Sequence, residues 1–152
     1  VSWITIDPGL TGTGWAVWRH RELVASGAVK GGEGEWYERA SHIADSVAEA
    51  AKPYDPDQLF YELPQFIQSR YEVNASGDLV KLTICAGMIA GRMMQRAVIK
   101  PIRIIDWKGQ LDKKLTLARI KVALTKRGSK LAGTTTHEAD AVGIGLYLLG
   151  EF

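Results

Sequence analysis

The sequence predicts an α/β domain in which a mixed five-stranded sheet is flanked by helices. Three observations carry this. Three short stretches rich in β-branched and aromatic residues follow one another at the start of the chain, with only tight connections between them. Beyond them, helical and extended patterns alternate to the end. The 152 residues, 46% hydrophobic and 24% charged, suffice for one domain over 1–152 with a substantial core, and they contain no repeat, low-complexity tract or long linker.

Each element follows in order. Ser2 to Ile6 predicts a first strand. Gly14 to Arg19 and Glu22 to Val29 predict two more, joined at His20 and Arg21 into an antiparallel meander. Gly31 to Gly34 is a loop. Over Glu35 to Lys52 the residues Trp36, Ala40, Ile43, Ala44, Val47 and Ala51 recur at helical spacing, until Pro53 stops the helix. Asp57 to Glu62 is a short fourth strand, and Pro64 to Asp78 is polar and irregular. Leu79 to Ala97 is a long helix with two apolar stripes: Leu79, Leu82, Ala86, Ile89 and Met93 on one, Val80, Ile84 and Met88 on the other. One stripe can cover a sheet; the second needs a partner, and a two-fold dimer is the commonest solution. Ile99 to Ile105 is a fifth strand, put at an edge by Pro101, which has no N–H to donate. Lys113 to Arg127 and Thr136 to Leu149 are the last helices.

The net charge is only +2, but it is unevenly spread. Lys108, Lys113, Lys114, Arg119, Lys121, Lys126, Arg127 and Lys130 crowd one segment whose single acid is Asp112, so it carries +7 and the remainder −5. A basic stretch on an acidic body points to an anionic partner; a lysine-rich solvated helix face is the alternative. Cys85 is the only cysteine, so no intrachain disulfide can form and a reducing, cytoplasmic setting is expected. The longest apolar stretch, Ala141 to Leu149, is too short to span a bilayer and is broken by glycines, and no secretory signal opens the chain. No membrane partner is expected.

The chemistry gathers at four residues. Asp7 and Glu62 each stand at the carboxyl end of a predicted strand, where open α/β sheets bind their ligands. If those strands are neighbours, the two carboxylates lie side by side and repel, a conflict that a hard divalent cation with oxygen ligands resolves. In "TTTHEADAVGIG", His137 and Asp140 are three apart and share a helix face. Glu138 forms a capping-box pattern with Thr135, which makes it a helix cap before a ligand. Singly, these residues also suit a turn former, a solvated strand end or a structural histidine; as a set they are far more specific. Gly9, Gly12 and Gly14 follow Asp7 in a bare turn that would tolerate unusual dihedrals and admit a phosphate to Asp7, a plain hairpin being the alternative.

"ITIDPGLTGTGWAV", "LFYELPQF" and "THEADAVGIG" resemble the three signature segments of the RuvC-type Holliday junction resolvases of the ribonuclease H-like superfamily. "WKGQLDKK" resembles the family's lysine-bearing stretch in the form found in phage and related bacterial members. The resemblance implies a ribonuclease H-like fold and an active site of Asp7, Glu62, His137 and Asp140, at once catalytic and metal-binding. It implies two divalent ions, normally magnesium with manganese able to substitute. It also implies a homodimer that nicks two opposing strands of a four-way DNA junction in a bacterial cell, whether or not phage-encoded. Many relatives carry Asp where His137 stands and others His, which keeps metal binding but can shift metal preference.

Phosphodiester hydrolysis needs an activated water and a stabilised leaving oxygen, and paired metal ions serve both. Candidates for DNA contact are Phe66, Tyr71, Lys81, Lys108, Lys113 and Lys114. In the family an aromatic residue in the loop after the glutamate inserts at the junction centre; a hydrophobic cluster under that loop is the other reading of Phe66 and Tyr71. A solvated loop is the other reading of Lys108 and Lys113. Two functions stay open beside junction cleavage: a ribonuclease H-like nuclease acting on RNA or RNA–DNA hybrid, and a catalytically silent junction-binding module. An actin-like sugar kinase, which also opens on an aspartate and glycines, needs a second lobe that 152 residues cannot supply.

Overall fold

The computed structural model describes residues 1–65 and 77–152. Its sheet is formed by β1 (Ser2–Asp7), β2 (Gly12–Arg19), β3 (Glu22–Lys30), β4 (Gln58–Leu63) and β5 (Val98–Arg103), in the order β3-β2-β1-β4-β5. The first three make the expected antiparallel meander, while β4 runs parallel to β1 and β5 parallel to β4. His20 and Arg21 both turn with positive φ, 50° and 70°, the backbone a two-residue hairpin of this twist requires. In the parallel pair Ile6 stands opposite Tyr61, which sets Asp7 beside Glu62.

Five helices complete the described chain: α1 (Trp36–Ala51), α2 (Asp78–Met93), α3 (Ile104–Trp107), α4 (Lys113–Lys126) and α5 (Thr136–Leu148). The two-residue period of the strands divides the core between the faces of the sheet. Ile4, Ile6, Val17 and Leu59 pack with Ala40, Ile43 and Val47 of α1 and Cys85, Ile89 and Met93 of α2. Ala16 and Trp18 pack on the other face with Ile120 and Leu124 of α4 and Ala139, Val142 and Leu146 of α5. None of these helices is long and apolar enough to cross a membrane.

The helix α5 is seated unusually close to the sheet. The buried Thr5 hydroxyl accepts from Trp18 Nε1 (3.3 Å) and donates to the Ala141 carbonyl (2.7 Å), which joins strand to helix. A Cβ on Gly145 would stand 2.2 Å from the Trp18 ring, so only glycine permits this approach.

Several boundaries shift by one or two residues, β2 for one starting at Gly12 rather than Gly14, and two differ by more or change the element. The helix α2 stops at Met93 rather than Ala97, because the Met93 carbonyl accepts from both Arg96 and Ala97 N–H and turns the chain into β5. Ile104 and Ile105, expected in the fifth strand, lie in α3. The partner strand ends at Leu63, opposite Arg103, so no ladder exists beyond it. Gln65 Oε1 instead accepts from Ile104 N–H (3.2 Å), and Arg103 pairs with Asp106 through two bonds. The strand β5 is at the edge, where Pro101 is tolerated.

Candidate active site

The site lies where the parallel strands end. Asp7 closes β1 and Glu62 stands near the end of β4. The first turns of α5 bring His137 and Asp140 over them. His137 Nδ1 is 2.8 Å from Asp7 Oδ2, and Asp7 itself is only 6% exposed. The lysine expected from the sequence, Lys108, reaches into the same place: its Nζ is 3.0 Å from Asp140 Oδ2 and 3.8 Å from Glu62 Oε2.

Sequence reasoning missed Trp107. Its indole Nε1 donates to Glu62 Oε2 (2.8 Å), and its ring lies 4.7 Å from Lys108 Nζ. The only signal was its place at the head of the lysine-bearing stretch; a lone tryptophan there reads equally as core. The short helix α3 delivers both residues.

Burial and like charge govern the electrostatics. Burial is the main cause that raises the Asp7 carboxyl, with Asp140 adding to it against the bond from His137. Glu62 is pushed up to about 7, first by burial and then by Asp7, against the pull of Lys108 and of the Trp107 N–H. The bond to Asp7 raises His137, with burial opposing. Burial pulls Lys108 down, but Glu62 and Asp140 together outweigh it and hold the ammonium charged. Three carboxylates thus share one fixed positive charge, an arrangement suited to binding further cations.

The glycines after Asp7 do not use the unusual dihedrals expected of them. None of Gly9, Gly12 and Gly14 has a positive φ. A Cβ on Gly14 would lie 1.8 Å from the His137 carbonyl oxygen, and one on Gly9 would lie 2.4 Å from the Gly12 carbonyl oxygen and 3.0 Å from His137 Cε1, whereas one on Gly12 would make only ordinary contacts at 3.5 Å. Gly14 clears space for the first turn of α5, and Gly9 for the Gly12 carbonyl and the edge of the imidazole, so at these two positions the gain is close approach rather than dihedral freedom. Thr13 braces the turn, its hydroxyl donating to Gly9 O (2.9 Å) and accepting from Gly9 N–H (3.1 Å).

Glu138 faces away from this cluster. It is 1% exposed, and its carboxylate accepts from Ser26 Oγ (2.6 Å), Ala132 N–H (2.8 Å) and Gly133 N–H (2.8 Å). Thr135 caps the helix by accepting from Glu138 N–H. The carboxylate therefore anchors the loop before α5 to β3, which holds His137 and Asp140 in register.

The basic run is divided. Lys113, Lys114, Arg119, Lys121, Lys126 and Lys130 are exposed, and Lys113 is close enough to oppose the protonation of His137. Lys108 is committed to the site. Arg127 is turned inward to Glu22, Glu151 and the Arg21 carbonyl, so it is not part of any outward basic surface. Lys81, on the first turn of α2, pairs with Asp78 at 3.5 Å. Phe66 and Tyr71 lie outside the described residues.

Among the described residues, no three His, Cys, Asp or Glu side chains stand close enough to hold one metal ion as placed. The donor set still fits hard divalent cations in its chemistry: carboxylate oxygens and an imidazole, buried together, mutually repelling and under-neutralised. What stands among them is the Lys108 ammonium.

No protein-family model matches the chain, and no curated protein matches it. Solved structures do. A structure of Thermus thermophilus RuvC superposes with a TM-score of 0.71 at 19% identity, over 99% of this chain and 98% of that one. A second, T. thermophilus RuvC in complex with a Holliday junction substrate, gives 0.68 at 22% identity, over 99% and 97%. From β1 to α5, the chain has the fold of the RuvC structures.

Proposed function

We propose that this chain is a metal-dependent endonuclease that cuts four-way DNA junctions by paired, symmetric nicks. The observation that carries the proposal is the meeting of Asp7 and Glu62, from adjacent parallel strands, with His137 and Asp140 from one helix face. The fold shared with a RuvC bound to a Holliday junction supports the choice of substrate.

Asp7, Glu62, His137 and Asp140 would hold the divalent ions, magnesium first and manganese in its place. Such ions, when bound, activate a water and stabilise the leaving oxygen of a phosphodiester. The chain's own residues prepare the site. The Trp107 N–H fixes the rotamer of Glu62. Asp7 orients the His137 ring through Nδ1. Glu138 fixes the start of α5. Lys113 and Lys114, exposed at the start of α4, are the residues proposed to hold the backbone phosphates. Phe66 and Tyr71 are the residues proposed to stack on bases at an opened junction centre. The outward face of α2, with Val80 and Ile84 exposed, is the proposed two-fold interface of a homodimer, which would present two identical sites to opposing strands.

The test is cleavage of a four-way junction, a linear duplex of the same sequence and an RNA–DNA hybrid, each with magnesium. The expected result is paired nicks in the junction alone, lost in D7N while junction binding persists. Equal cutting of linear duplex, or preference for the hybrid, would assign the site to a general ribonuclease H-like nuclease. Binding without cleavage by the unmodified protein would make it a silent junction-binding module.

A further inference from the structure

We propose that Lys108 is the resident counter-cation of this centre: its ammonium stands where a divalent ion is to bind between Glu62 and Asp140, and loading that position expels it. The proposal rests on the metal-ion reading above. It accounts for two observations together. Four candidate ligands converge at the strand ends. Yet no three such side chains among the described residues are close enough to share an ion.

The geometry is that of a bridge rather than of an ordinary surface ion pair. One Nζ contacts carboxylates from two separate elements, Asp140 of α5 at 3.0 Å and Glu62 of β4 at 3.8 Å. All three side chains are largely withdrawn from water, 17%, 19% and 13% exposed for Lys108, Asp140 and Glu62. The ammonium also stands over the Trp107 ring, whose N–H donates to the same Glu62 oxygen. A buried carboxylate group of this kind needs a cation to remain charged in the fold. Lysine is suited to a replaceable one, because its compact charge sits on a flexible stem that can withdraw without moving a strand or helix. Gly109 follows it with φ 56°, and Gly109 and Gln110 are both exposed, so solvent lies beside the residue that would move. A divalent ion brings twice the charge to the same oxygens and would take the position by mass action.

The experiment measures Mn2+ binding to the full chain without DNA, from the electron paramagnetic resonance signal of the free ion, for wild type, K108M and K108R. Methionine keeps an apolar stem over Trp107 and removes the competing charge. K108M is expected to bind Mn2+ about tenfold tighter, the scale of one charged hydrogen bond no longer to be broken, and K108R to stay near wild type. Equal or weaker binding by K108M, or equal tightening in K108R, overturns the proposal and leaves the metal-ion reading standing. Failure of all three to bind at millimolar Mn2+ overturns both.

A measurement on the unmodified chain covers the case in which K108M does not fold. Reductive methylation by formaldehyde and cyanoborohydride, resolved by residue with mass spectrometry, should label Lys108 slowly without metal and several-fold faster at saturating Mn2+. The exposed Lys126 should label at one rate throughout. A Lys108 rate that saturating Mn2+ leaves unchanged overturns the proposal.

Discussion

Glu62 shows how one residue's surroundings set both chemistry and stability. In the unfolded chain it ionises near 4.5; in the fold, burial and the neighbouring Asp7 push it up to about 7. The folded state therefore holds the proton more tightly. The stability this contributes is complete below pH 4.5 and is lost as the pH rises through 7. In protein kept metal-free by chelator, E62Q should thus be more stable than wild type at pH 8, by on the order of 2 kcal/mol and a few degrees in Tm. At pH 4.5 the two should melt together. Thermal melts across this range check the sign, and a wild type no less stable than E62Q at pH 8 contradicts it. The amide can still accept from Trp107 N–H but is a poor metal ligand, so added stability and lost cleavage should come together. A carboxylate at a strand end is legible in a sequence. Its elevated pKa is not, because that depends on how far the fold buries it and on Asp7 arriving from another strand, against the pull of Lys108 and Trp107 from a third segment.

At the scale of elements, α5 and α2 are opposite cases. Beyond its polar first turns the helix α5 is apolar and buried from Ala141 to Leu146, with glycine where it meets two rings: Gly145 against Trp18, and Gly143 against Trp107, where a Cβ would stand 2.7 Å from the ring. Its place on the sheet admits little change. The helix α2 covers the sheet with Cys85, Ala86, Ile89 and Met93 and leaves a second apolar line outward, with Val80 62% and Ile84 41% exposed. Gly87 and Gly91 continue that line with open space above them. A second copy of the chain is the proposed cover. Light scattering at micromolar concentration should find a dimer for the wild type and a monomer for I84E, since an unpaired carboxylate in an apolar interface costs several kcal/mol. A monomeric wild type removes this interface. Of the second stripe expected from the periodicity of α2, Val80 and Ile84 are on the outward side, whereas Met88 is half-buried and packs against the core.

On the scale of the whole molecule, one end of the sheet carries the chemistry, and α4 with the loop after it carries the exposed basic charge. Lys113, Lys114, Arg119, Lys121, Lys126 and Lys130 remain outward along and after α4, while Lys108 and Arg127 are withdrawn from that field. If α4 holds backbone phosphates, junction affinity should fall steeply with salt. K113A should then lower the slope of log K against log salt by about 0.9, with equal loss on every junction sequence. Fluorescence anisotropy over a salt series measures this, and an unchanged slope in K113A would move the phosphates off α4.

The sequence by itself determined most of the strands and helices and their faces, because hydrophobic period, Pro53 and Pro101 are local properties of the chain. It also determined that Asp7, Glu62, His137 and Asp140 would sit at element ends. The tertiary structure alone decided the rest. Ile104 and Ile105 have strand-forming side chains, but β4 offers no partner beyond Leu63, so they turn into α3 and carry Trp107 and Lys108 to Glu62 and Asp140. Gly14 looks like freedom of dihedral in the sequence and proves to be room for the backbone of His137, from the far end of the chain. Glu138 and Arg127 likewise direct their charges to β3, through Ser26 and Glu22. A residue's own conformational preference is written beside it in the sequence, whereas the partner that fills its space or answers its charge is set by which elements the sheet brings together.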